Sequence, residues 1–173
     1  MNMIKKIIIE QYNNKSKEKL MSRKILFKGM SQNSKQWYFG YYWKTDDSSY
    51  CFSNDIPKDN THHYILFDSP TDWNLPNDKL KAEIDIETLS QFTYRKDSKN
   101  QMIFENDIVK STIGSIGVVK FDESLLTFVV ETDDVIYTLY DMPTDTEVEI
   151  IGNIFENKYL LDNEQKKVEE YNE

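Results

Sequence analysis

The sequence predicts a mainly β protein: an antiparallel meander followed by a small SH3-like barrel, with short helical segments at most. Three observations carry this reading. Aromatic residues make up 13 % of the chain, with eleven Tyr and nine Phe, and such side chains favour the pleated, half-buried surface of a sheet. Short apolar runs recur between turns rich in Gly, Asn, Asp and Pro. In the C-terminal half, five such runs with tight connections fall within about fifty residues, the pattern of a small closed barrel.

Each element follows from local pattern. Arg23 to Lys28 alternates, with Ile25 and Phe27 inward and Lys24 and Lys28 outward. A polar loop, Met30 to Gln36, leads to an aromatic strand from Trp37 to Trp43, interrupted by Gly40. These aromatics are the expected core of the N-terminal half. Tyr50-Cys51-Phe52 reads as a third strand and Tyr64 to Phe67 as a fourth, with a loop from Pro57 to His63 between them. Asp68 to Lys81, with Pro70 and Pro76 among Asp and Asn, reads as loop. Strands are then expected at Asp107–Thr112, Val118–Phe121, Leu125–Glu131, Val135–Tyr140 and Val148–Phe155, with Ile113 to Gly117 as a turn.

The most informative stretch is Glu83 to Lys110. Its apolar ends, Ile84 to Phe92 and Met102 to Val109, flank a wet middle from Arg95 to Gln101. The first end reads as a helical turn or strand and the middle as a tight polar turn. Ile86-Glu87-Thr88, Gln91-Phe92-Thr93, Lys96-Asp97, Ile103-Phe104-Glu105 and Asp107-Ile108-Val109 together resemble the YopX family of phage and prophage proteins. Lys28-Gly29, Trp37 to Gly40 and Ile150 to Asn157 extend the resemblance to about residues 23–161. Tyr94, Asn100 and Asn106 stand where the family pattern has glycine. Asn tolerates a left-handed backbone through local hydrogen bonding. Tyr does so less easily, so a different turn is expected at Tyr94. The resemblance implies a phage or prophage setting and supports the small barrel. It brings no catalytic residues with it.

The organisation is therefore a basic extension at 1–22, a β meander with an irregular loop at 23–82, the YopX-like motif and SH3-like barrel at 83–161, and a polar tail at 162–173. The extension holds Ile7-Ile8-Ile9, a β-branched run that favours a strand. It reads either as a flexible basic arm or as an element packed on this chain or a neighbour. Met21 resembles the usual family start.

Charge is the strongest functional signal. The chain carries −9 overall, yet residues 1–28 hold eight basic and two acidic residues, so the remainder is near −15. No Lys or Arg occurs between 121 and 157, where Glu131, Asp133, Asp134, Asp141, Asp145, Glu147 and Glu149 fall. Such a module repels phosphate and steers basic surfaces toward itself. The bland alternative is a solvated acidic face. Direct nucleic-acid binding is expected only through the N-terminal arm. Trp73, in the irregular loop, either docks on the body or anchors a partner. Ile7, Ile8 and Ile9 are candidates for adding a strand to a neighbouring subunit, which makes an oligomer the expectation.

Chemistry is poorly signalled. One cysteine, Cys51, excludes an internal disulfide and fits a reducing cytoplasm. His62-His63 would point to opposite sides of a strand, a poor arrangement for one metal. Gly114-Ser115-Ile116-Gly117 lacks the third glycine of a dinucleotide loop. Glu105 and Asp107 form a conceivable acid pair, but Glu105-Asn106-Asp107 reads better as a turn whose Asp bonds nearby amides. No catalytic residue, cofactor or metal is expected, and no stretch approaches the ~20 apolar residues of a membrane span.

The expected function is a phage-encoded, cytoplasmic interaction protein whose partner is a basic host protein. Its most concrete form inhibits a host defence or nucleic-acid-handling protein by presenting a DNA-like charge surface. The alternatives are a self-assembling structural or regulatory phage protein, and nucleic-acid contact through the basic arm.

Overall fold

Among the described residues, two antiparallel sheets account for nearly all regular structure. The computed structural model describes residues 24–47, 60–69, 78–112, 114–133, 135–139 and 148–161. Ile7, Ile8, Ile9, Trp73, Asp134, Asp141, Asp145 and Glu147, like the strand expected at Tyr50-Cys51-Phe52, lie outside the described residues.

The first sheet grows from β1 (Phe27–Met30) and β2 (Trp37–Asp46), paired so that Lys28 faces Phe39 and Phe27 faces Gly40. β3 (Thr61–Ser69) joins β2, and β4 (Asp78–Glu83) joins β3. On the other edge β1 meets β5 (Ser90–Lys96), which pairs with β6 (Met102–Phe104). The order is β4-β3-β2-β1-β5-β6. Two loops of the sequence reading are thus partly strand: Thr61–His63 and Asp78–Lys81 complete long cross-strand ladders, and backbone pairing outweighs their polar composition.

This sheet curls, because Ile84 at the end of β4 bridges back to Ser31 beyond β1. Inside the curl Ile65 and Ile84 are fully buried. Room for them comes from glycine. A Cβ at Gly40 would lie 2.0 Å from the Leu66 carbonyl oxygen, and one at Gly29 would lie 2.6 Å from Ile84 Cδ1. A 3-10 turn, Ile86–Thr88, capped by the Asp85 side chain, then carries the chain into β5.

The second sheet contains β7 (Asp107–Ser111), β8 (Ile116–Asp122), β9 (Thr127–Glu131), β10 (Ile136–Thr138) and β11 (Val148–Asn153), in the order β10-β9-β8-β7-β11. The last strand returns beside the first, as in a small barrel, but the barrel is not closed. β10 and β11 end the sheet, and no pairing joins them among the described residues. The core here is Ile103, Val109, Val119, Val130, Leu139 and Val148, with Phe128 and Ile150 packed on it. Burial of each such side chain contributes about 1.5–3 kcal/mol. Ile103 belongs to β6 of the first sheet, so the two sheets share a core residue.

The three residues that stand where the family pattern has glycine all take a left-handed backbone. Tyr94, Asn100 and Asn106 have φ of 67°, 64° and 65°. The different turn expected at Tyr94 is absent: Tyr94 takes the left-handed conformation. It sits where the β5–β6 register shifts between Phe92 and Lys96, and its ring lies 5.2 Å from that of Phe92. That contact offsets part of the backbone strain.

Candidate functional site

Three surfaces emerge once the sheets are in place. The first is the acidic face. Glu131, at the end of β9, is bridged to Lys120 of β8, and Glu149 of β11 to Lys99 in the β5–β6 turn. Asp133 is exposed in the β9–β10 turn. The face is thus partly neutralised by lysines on adjoining strands and turns, a pairing that a search within residues 121–157 could not reveal. Beside it, Val135, Ile136 and Tyr137 are all exposed, and Ile136 stands directly opposite Glu131. Leu125 and Leu126, at the tip of the β8–β9 hairpin, are the most exposed aliphatics of that sheet, and Leu126 has φ of 53°.

The second surface is the seam between the sheets. Lys28 of β1 is bonded to Asp107 of β7, and both side chains are buried. The sequence reading placed Lys28 outward and Ile25 inward; the structure reverses both, since Ile25 is 48 % exposed. The reason is the partner seventy-nine residues away. The Lys28 ammonium also lies 5.0 Å from the Trp37 ring centre and 5.3 Å from that of Phe104, a stabilising arrangement for a desolvated cation. Asp107 Oδ2 accepts from the Phe104 amide at 2.8 Å, the local bond expected of this turn. Burial pushes the Asp107 carboxyl above its ordinary range, while Lys28 pulls it back. Asp107 is therefore committed to structure, and its pairing with Glu105 as an acid couple finds no geometric support.

A cleft of about 320 Å³ opens over this pair, walled by Trp37, Phe39, Met102 and Ile150. At its rim Glu156 Oε2 accepts from Trp37 Nε1 at 3.0 Å and from Asn153 Nδ2 at 2.7 Å. Asp97, unremarked in the sequence beyond its place in the motif, fastens the same seam. Its carboxylate accepts from the Lys99 and Gln101 amides at 2.9 and 2.7 Å, and from the Ile150 amide of β11 at 3.3 Å. Arg95 reaches across to the Leu139 carbonyl.

The third surface is an aromatic row. Trp37, Phe39, Tyr41 and Trp43 alternate along β2 and so project from one face. The sequence reading placed these rings in the core. Instead Phe39 and Tyr41 are 49 % exposed and Trp43 41 %. The interior is already filled from the opposite face, by Ile65 against Gly40 and by Tyr42 against Phe27. Because β2 is aromatic on both faces, alternation alone gave no way to tell them apart. Tyr64 of β3 lies beside Trp43, ring centres 5.5 Å apart. The Lys81 ammonium of β4 sits 4.3 Å from the Tyr64 ring and 5.4 Å from Trp43.

His62 and His63 occupy adjacent positions of β3. His62 Nδ1 meets Glu83 at 2.8 Å and Nε2 faces Asp47 at 3.4 Å, while His63 Nδ1 meets the Tyr42 hydroxyl at 2.7 Å. They serve different neighbours. Among the described residues, no group of three or more His, Cys, Asp or Glu is placed to hold a metal, and no helix is long and apolar enough to cross a membrane.

The geometry is that of a two-sheet β protein with a sealed seam and surfaces suited to contact. The chain belongs to the YopX family, whose model, described as YopX protein, matches residues 26–162. Membership suggests a phage or prophage protein. No curated protein matches the chain.

Proposed function

We propose that this is a non-catalytic phage interaction protein that acts in the host cytoplasm and binds a basic host protein through the outer part of its second sheet. The observation that carries the reading is β10. It is an edge strand in which Ile136 and Tyr137 are exposed, with exposed Val135 just before them, set beside Glu131 and Asp133. An open edge offers unpaired backbone groups to an incoming strand. The surrounding carboxylates favour a partner rich in Lys and Arg, and no basic residue lies between 121 and 157 to oppose it. A partner that normally handles nucleic acid fits this charge, so interference with a host defence or nucleic-acid-handling protein is the concrete form we favour. The bridges from Lys120 and Lys99 lower the local charge, which gives the apolar edge the larger share of the recognition.

The test is capture of the tagged full-length protein's partners from host lysate at low salt and at about 1 M salt, where screening acts within about 3 Å. The expected result is a stoichiometric basic protein that is weakened by salt and lost with Ile136→Lys. Recovery of the chain's own oligomer alone, or a partner indifferent to Ile136→Lys, overturns the reading.

A further inference from the structure

The charge of the chain is divided more sharply than its total implies. Residues 1–96 contain 15 basic and 12 acidic residues, whereas residues 97–173 contain 6 basic and 18 acidic. Of these, residues 1–23 supply 6 basic and 2 acidic, so residues 24–96, which form β1 to β5, hold 9 and 10 and are near neutral; this sheet repels phosphate far less than the acidic second sheet does. The exposed aromatic row lies on this sheet. Its carboxylates are also accounted for. On the face shared by β2, β3 and β4, Asp68 is bridged to Lys79 and Glu83 to His62. Lys81 forms no ion pair among the described residues and instead lies over Tyr64 and Trp43.

We infer that this face binds single-stranded nucleic acid by stacking bases on Phe39, Tyr41 and Trp43, with Lys81 beside the phosphates. Spacing supports the assignment. Alternate residues of a strand are about 6.6 Å apart, roughly twice the 3.4 Å between neighbouring bases on one nucleic-acid strand. Three rings at that interval accept bases drawn apart from one another, each base exchanging a neighbour for a side chain. Stacking of this kind tolerates any sequence, because every base has a π-face. Sheets that present aromatic side chains to two or three bases are an established solution for single strands. A duplex keeps its bases stacked internally and has nothing to offer the row. This surface is separate from β10 and its carboxylates, and the inference does not depend on a basic protein partner.

The experiment is fluorescence anisotropy of the full-length protein with labelled oligo-dT, oligo-rU and a duplex of equal length, at low and moderate salt. The expected result is binding of the single strands, weaker binding of the duplex, and quenching of tryptophan emission. Tyr41→Ala and Trp43→Ala should each weaken single-strand binding at least fivefold, the smaller end of the range for one lost stack. Lys81→Gln should flatten the salt dependence. All three positions are exposed, and thermal unfolding checks that the variants remain folded. Two controls separate the alternatives. Full-length protein with Lys5, Lys6, Lys15, Lys17 and Lys19 replaced by Gln should keep binding. So should Ile136→Lys, which tests the other surface. The inference is overturned by absence of single-strand binding at low salt, by binding that survives Tyr41→Ala with Trp43→Ala, or by binding that disappears with the N-terminal lysines. A protein ligand displaced by the ring substitutions, without any nucleic-acid binding, also overturns it and reassigns the face.

Discussion

Lys28 and Asp107 join the first strand of one sheet to the first strand of the other through a buried ion pair. Both side chains are more than nine-tenths buried, and the ammonium is enclosed by Trp37 and Phe104. A pair of this kind contributes less than its geometry implies, because both ions lose their water. Its removal by halves is another matter. Lys28→Met strands a carboxylate, and Asp107→Asn strands an ammonium. Each should cost about 3–5 kcal/mol. The double variant should be clearly more stable than the sum of the single losses predicts. Urea unfolding of the three variants measures the coupling, and strict additivity would show that the pair does not form.

Asn100 offers a test of handedness at a solvent-exposed turn. Its φ is 64° and its side chain accepts from Lys96 at 2.9 Å. Asn100→Gly should hold stability within about 0.5 kcal/mol, since glycine adopts this backbone freely. Asn100→Val should cost about 1–2 kcal/mol, because a β-branched residue resists the left-handed region. Equal midpoints for the two variants in urea would contradict the turn geometry.

Gly40 tests the packing that turns the aromatic row outward. A Cβ there would meet the Leu66 carbonyl oxygen at 2.0 Å, with Ile65 Cγ2 at 3.2 Å. Backbone is the obstacle, so no side-chain rotation relieves it. Gly40→Ala should destabilise by about 3 kcal/mol or more, seen as a lowered urea midpoint. Exposed Phe39 is the contrasting position, where Phe39→Ala should cost distinctly less.

His62 gives the first sheet a pH dependence. Its hydrogen bonds to Glu83 and then Asp47 raise its pKa above the ordinary value near 6.5. The folded state therefore holds this proton more tightly than the unfolded chain. The resulting stabilisation is fully present below the unfolded pKa and is lost as pH rises through the raised folded pKa. An imidazole titration by NMR should place His62 above the ordinary value, and Glu83→Gln should lower it. A His62 midpoint unchanged by Glu83→Gln would remove Glu83 as the cause.

Much of the fold could be read from the residues in order. Aromatic content, short apolar runs and turn residues gave a mainly β chain, and the family motif from Ile86 to Val109 was visible despite three replaced glycines. Asn100 and Asn106 announced left-handed turns through their own chemistry. Such features are local: strand propensity, alternation and turn preference act within a few residues. Tertiary structure decided the rest. Lys28 is buried because Asp107 meets it from seventy-nine residues away, and no local pattern encodes that meeting. Tyr94 accepts a glycine's backbone at a register shift beside Phe92. Glu131 and Glu149 lose part of their charge to lysines that neighbouring strands and turns bring beside them. Phe39, Tyr41 and Trp43 face solvent because Ile65 fills the space under Gly40 on the other side of β2. A strand aromatic on both faces states only that both faces are apolar; which one is covered depends on what else the chain packs there.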